Sequence, residues 1–106
     1  MRATYRLARS ARRDLQEISD YWTIEAGENV AARVVGGVIE TVITISHHPG
    51  AGVAADHFGD RVRKFPAGKY MIYYRPYSKG IEILHVFYGA RHQAKAWRTN
   101  RKRQVG

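Results

Sequence analysis

The chain has 106 residues, room for one domain with one modest core, and its 44% hydrophobic and 11% aromatic content excludes disordered and fibrous classes. With no cysteine it has no disulfides, Cys-based zinc sites or thiol nucleophiles, and it fits a reducing cytosol. The net charge of +9 is unevenly placed: from Arg61 to the C-terminus twelve Lys/Arg face one acid, Glu82, whereas six of the nine acids lie between Asp14 and Glu40. A surface so polarised calls for a polyanion, either nucleic acid or an acidic protein. No apolar run resembling a bilayer span is read, and the arginine-rich start Met1–Arg6 has no apolar stretch after it of the kind a secretory leader carries, so a cytoplasmic protein without membrane contact is expected.

The predicted elements follow in chain order. Ala3, Tyr5 and Leu7 alternate with polar residues, predicting a half-buried strand over 3–7. Ser10 is placed to cap a helix whose Ala11, Leu15, Ile18 and Trp22 form one apolar stripe and which Gly27 ends. Asn29 is placed to cap a second, with Ala31, Val35, Val38, Val42 and Ile45 in the same spacing up to the His48-Pro49-Gly50 break. The seven valines and isoleucines from Val34 to Ile45, with the Gly36-Gly37 pair, favour a strand there, but a stripe sustained over fifteen residues outweighs propensity. The two form a helical hairpin that covers one face of a sheet.

After a Gly/Ala-rich loop at 51–55 the period changes to two, giving strands at 61–65, 69–75 and 81–88. Pro66-Ala67-Gly68 and Pro76-Tyr77-Ser78-Lys79-Gly80 supply the turns of a three-stranded antiparallel meander. The middle strand sets Tyr70, Ile72 and Tyr74 on one face and Met71, Tyr73 and Arg75 on the other. That second face, rich in tyrosine and flanked by arginines, is expected to want a partner. The fold class is α+β, one domain over residues 1–106 with a basic tail from about 93 to 106.

Arg63 and Lys64 are neighbours on a strand and point to opposite faces, so one of them flanks the open face with Arg75 or Arg91. Arg91 follows a glycine at a strand end, which presents a side chain rather than burying it. His92 beside it is a candidate base, since an imidazole ordinarily changes charge near neutrality. His85, inside an apolar strand, reads as a satisfied sheet residue. His47, His48, Asp56 and His57 match no ligand spacing, so neither a metal nor another cofactor is expected. Trp97, among Lys95, Arg98 and Arg101, is either an anchor for the tail or an aromatic contact to a partner.

The run Tyr5-Arg6-Leu7-Ala8-Arg9-Ser10-Ala11-Arg12-Arg13-Asp14-Leu15-Gln16-Glu17-Ile18 resembles the opening strand and Ala-x-x-Asp-Leu-x-x-Ile helix of the RelE/ParE toxin superfamily. Pro49-Gly50, Arg61–Phe65, Lys69–Arg75 and Ile81–Arg91 resemble its later blocks in order and spacing, so the likeness covers about residues 3–92. It implies the toxin of a type II toxin–antitoxin pair, joined with a cognate antitoxin in a hetero-oligomer. RelE-like members cut mRNA on the ribosome; ParE-like members poison DNA gyrase without a known hydrolytic reaction. The cutting branch needs cations around a phosphorane-like transition state and a proton acceptor, roles open here to Arg91, Lys64, Arg63 and His92. Where that branch often keeps a tyrosine this chain has Trp97, which stacks but transfers no proton, and Met71 stands near a position where it tends to keep arginine. These departures and the Gly89-Ala90-Arg91 strand ending look more like ParE. The expected contacts to target or antitoxin are then Arg63, Lys64, Tyr73, Arg75, Arg91, Trp97, Arg98 and Arg101, with no catalytic residue. A plain nucleic-acid-binding module is the weakest reading, because no recognition helix or Gly-rich RNA loop is evident.

Overall fold

The computed structural model describes residues 4–89. Strand β1 (Thr4–Leu7) leads into helices α1 (Arg9–Ala26) and α2 (Glu28–His47). A two-residue strand β2 (Val53–Ala54), a 3₁₀ turn (Asp56–Phe58), and strands β3 (Arg63–Ala67), β4 (Tyr70–Tyr77) and β5 (Gly80–Tyr88) complete the fold. The sheet order is β1-β5-β4-β3-β2, with β1 parallel to β5 and every other pair antiparallel. The expected α+β class, hairpin and meander are all present.

The stripes read from the sequence form the core. Ala11, Leu15 and Ile18 of α1 and Val38, Val42 and Ile45 of α2 pack on Ile72, Tyr74, Ile81 and Ile83, with Trp22 half-buried beside them. Each buried aliphatic side chain contributes roughly 1.5–3 kcal/mol of transfer free energy, which lets the β-branched α2 remain helical against its propensity. By length and composition alone α2 is apolar enough to cross a membrane; here its stripe lies against the sheet.

Several local expectations are corrected. Neither Ser10 nor Asn29 caps a helix: α1 is preceded by Ala8, and Gly27 at φ 96° serves as the junction between the two helices. Ser10 Oγ instead donates to the carbonyl of Leu84 at 2.6 Å. The strand expected at 61–65 begins at Arg63 (β3) rather than Arg61, because Arg61 occupies a turn with a positive φ of 61°. Pro66 and Pro76 lie inside strands rather than turns. β2 pairs only with Arg63 and Lys64, and β3 reaches only as far along β4 as Tyr74, so each proline sits where one side of its strand has no neighbour and its missing N–H costs nothing. On β1, Tyr5 is exposed rather than half-buried. Ala3 lies outside the described residues.

β1 ends at Leu7, opposite Ile83, leaving the last part of β5 without a strand on that side. The start of α1 takes over its hydrogen bonds. Ala8 N–H donates to Ile83 O at 2.9 Å, Ser10 Oγ–H donates to Leu84 O, and Asp14 Oδ2 accepts the N–H of Val86 at 2.9 Å. At the far end Gly80 is forced: a Cβ there would sit 1.9 Å from Thr4 O, a backbone atom of the paired strand.

Candidate functional site

The sheet face opposite the hairpin carries the candidate site. Alternation puts Arg75 there, register puts Lys64 opposite Tyr73, and Arg6 and Arg75 both lie opposite Glu82. The two Glu82 oxygens separate the arginines, one at 3.3 Å from Arg6 Nε and the other at 3.5 Å from Arg75 Nη2. The Arg6 guanidinium also lies over the Tyr77 ring, 4.2 Å from its centroid. Arg6 and Arg75 remain half exposed, so this pairing contributes little to stability and chiefly sets where the two cations stand.

The face is less open than its sequence implies. Ala55, Phe58 and Val62 fold over Tyr73, which is fully buried, and Met71, Leu84 and Phe87 pack around them. Phe58 meets Tyr73 edge-on at 4.8 Å. Burial pushes the Tyr73 phenol up to about 12. Tyr73, expected as a partner contact, thus holds the cover in place, and the cations lie around it.

Arg63 and Lys64 diverge as alternation requires. Arg63 lies opposite Tyr74, on the hairpin face, and lines a cleft with Arg61, Asp56, Pro49, Gly50 and Pro76. Tyr74 Oη accepts from Gly52 N–H and donates to Pro49 O, both at 2.8 Å, pinning the loop after α2. Its pKa is raised by burial, an effect opposed by the Gly52 hydrogen bond and the Arg63 charge. Arg91, His92, Trp97, Arg98 and Arg101 lie outside the described residues.

Two features escape the sequence reading. Asp14 and His85 form a buried pair, Nδ1 to Oδ2 2.8 Å, with the His85 ring stacked on Phe87. The signal for it is a carboxylate on the apolar stripe itself, three residues after Ala11 and four before Ile18. The second is an aromatic groove between α1 and the end of β5, lined by Ile18, Tyr21, Trp22, Tyr70, Val86 and Tyr88. Trp22 Nε1–H donates to Tyr70 Oη at 2.7 Å across its floor.

Residues 5–93 match the family model described as ParE toxin of type II toxin-antitoxin system, parDE. The chain belongs to the ParE toxin family. Toxin ParE1 of Caulobacter vibrioides is 30% identical over 84 residues, covering 79% of this chain and 86% of that protein. The chromosomal ParDE toxin–antitoxin system of P. aeruginosa provides a solved chain with the same fold, at a TM-score of 0.71 and 21% identity, covering 82% of this chain and 96% of that one. As a ParE-family member the chain is the toxin of a type II pair, and its partner is an antitoxin protein. The matched segment takes in Arg91 and His92 and ends four residues before Trp97.

Proposed function

We propose that this ParE-family toxin acts by binding, engaging DNA gyrase through its cationic sheet face and basic tail, and that its antitoxin neutralises it by covering that surface. The observation that carries the reading is that Arg63 and Lys64, the two groups open to RNA cleavage that fall within the described residues, lie on opposite faces of the sheet. In-line attack of a 2′-hydroxyl needs a proton acceptor and a cation within reach of one phosphate. A binding surface needs only an array of cations at fixed spacing, which Lys64, Arg75 and Arg6 supply around an apolar cover. Association is then steered by charge and weakens with salt. An antitoxin suited to this surface carries an acidic segment that orders as it binds.

Induction of the chain alone in bacteria tests the assignment. DNA supercoiling is expected to fail while mRNA stays intact, and co-expression of the antitoxin restores growth. Early cuts in ribosomal A-site codons, abolished by Arg91→Ala, would establish the ribosome and mRNA as the target and the chain as a metal-independent endoribonuclease.

A further inference from the structure

The cleft that Arg63 lines with Arg61, Asp56, Pro49, Gly50 and Pro76 is separate from the cationic sheet face, because Arg63 and Lys64 point to opposite sides of β3. It encloses about 440 Å³, within the roughly 300–1,000 Å³ over which proteins hold small ligands. We propose that it binds one nucleotide unit, with the phosphate on Arg61 and Arg63, the base against Pro49 and Pro76, and the amino-bearing edge of the base on the Asp56 carboxylate.

Three observations lead there. The first is a pair of uncommitted cations. Arg63 is half-buried, yet it forms no ion pair among the described residues. Arg61 meets only Asp60, at 4.0 Å, and both of those side chains stand largely in water. A guanidinium keeps several N–H donors in a planar fork that matches two oxygens of a phosphate.

The second is the backbone that presents them. Val62 N–H closes a turn on Gly59 O at 3.2 Å, and Arg61, at the third position of that turn, has φ 61°. Among the described residues it is the one non-glycine residue with a positive φ. Glycine or asparagine suits such a position, so an arginine held there points to a side chain used where it stands. The facing wall is pinned as well. Tyr74 Oη ties Pro49 O and Gly52 N–H to the sheet, and a Cβ on Gly52 would lie 2.7 Å from Lys64 O.

The third is the mixed chemistry of the lining. Two cations alone suit any anion, but Asp56 in the same cleft repels a run of carboxylates such as an acidic peptide brings. The ligand therefore carries donors beside its anion, and an apolar part for the two prolines. A nucleotide has all three. Guanine sets N1–H and N2–H side by side, matching the two oxygens of one carboxylate, whereas uracil has no amino group. The edge so used is the one that pairs in a duplex, so the ligand is a free nucleotide or part of an unpaired strand.

The arginine Nε–H resonances of the free toxin, assigned with Arg61→Gly and Arg63→Gln, report on the cleft separately from the sheet face. Guanosine 5′-monophosphate should shift Arg61 and Arg63 saturably and leave Arg6 and Arg75 in place. Uridine 5′-monophosphate should bind about tenfold more weakly, and Arg63→Gln should weaken the guanosine nucleotide by about tenfold or more. Arg61→Gly, which suits the turn at least as well as arginine, should weaken binding without lowering the thermal midpoint. Asp56→Asn should abolish the preference for guanosine over uridine while tightening inorganic phosphate. A short single strand ending in guanosine separates the two sources: tighter binding at the same two arginines assigns the cleft to unpaired strands, equal binding to free nucleotides. The proposal is overturned if the nucleotides shift Arg6 and Arg75 instead, or if inorganic phosphate occupies the cleft at the same concentration as guanosine 5′-monophosphate. It is equally overturned if a hexaglutamate peptide displaces the nucleotide at lower concentration, which would assign the cleft to an acidic peptide.

Discussion

On the hairpin side of the sheet, Ile72, Tyr74, Ile81 and Ile83 meet two long helices along continuous apolar stripes. On the other side, Tyr73 is covered by Ala55, Phe58 and Val62 from one irregular segment with Met71 and Phe87 packed beside them, and Lys64, Arg75, Glu82 and Arg6 lie around that patch. One face is built for cohesion; the other has just enough apolar cover to hold a set of charges in place. On the proposed reading, stability and recognition are thereby separated across the thickness of a single sheet. Charges on the second face can change with little effect on folding, while cavities in the first cost several kcal/mol.

The largest effect that would sharpen this contrast is a cavity under the helices. Ile72→Ala should cost about 3–5 kcal/mol in urea denaturation, whereas Phe58→Ala, in a thin cover able to collapse, should cost about 2–3. Equal losses would mean that the second cluster is as integral as the first.

Asp14→Ala tests the seam where α1 replaces a strand neighbour for β5. It leaves the Val86 N–H and the His85 ring without their carboxylate in a buried site, and should cost about 2–3 kcal/mol. A loss below 1 kcal/mol would show that water substitutes there.

The buried Tyr73 phenol makes the second face sensitive to alkali. Its folded pKa lies above the unfolded value near 10, so the unfolded chain loses its proton first. This contribution is complete below pH 10 and disappears as pH rises through about 12, removing roughly 2 kcal/mol. Tyr73→Phe should flatten that part of the stability–pH curve; an unchanged slope would place the titration elsewhere.

The smallest effect on folding should come from Glu82→Gln. It frees Arg6 and Arg75 while changing stability by less than about 1 kcal/mol, since both arginine side chains are about half exposed. Binding to an anionic target should tighten and its salt dependence steepen.

What the sequence made legible follows the same division. The hairpin core could be read because stripes such as Ala11-Leu15-Ile18 and Val38-Val42-Ile45 repeat over many turns. The cover could not: Ala55, Phe58 and Val62 have no period, and their role depends on Tyr73 lying beneath them. Alternation correctly sent Arg63 and Lys64 to opposite faces, but only the β3–β4 register shows which one shares a face with Arg75. The two strand prolines looked like turn formers because edge positions are invisible without the strand order. The Asp14–His85 pair joins residues 71 positions apart, and only the polar intrusion on an apolar stripe pointed to it.

The most direct measurement of the central claim is a gyrase supercoiling assay with purified toxin titrated by its antitoxin, run beside a translation reaction that reports mRNA cuts. The account predicts that the toxin blocks supercoiling or traps cleaved DNA–gyrase complexes at a concentration that rises steeply with salt. It predicts that antitoxin restores the reaction near one equivalent and that mRNA remains whole. Unimpaired gyrase together with discrete cuts in A-site codons, lost on Arg91→Ala, would contradict it.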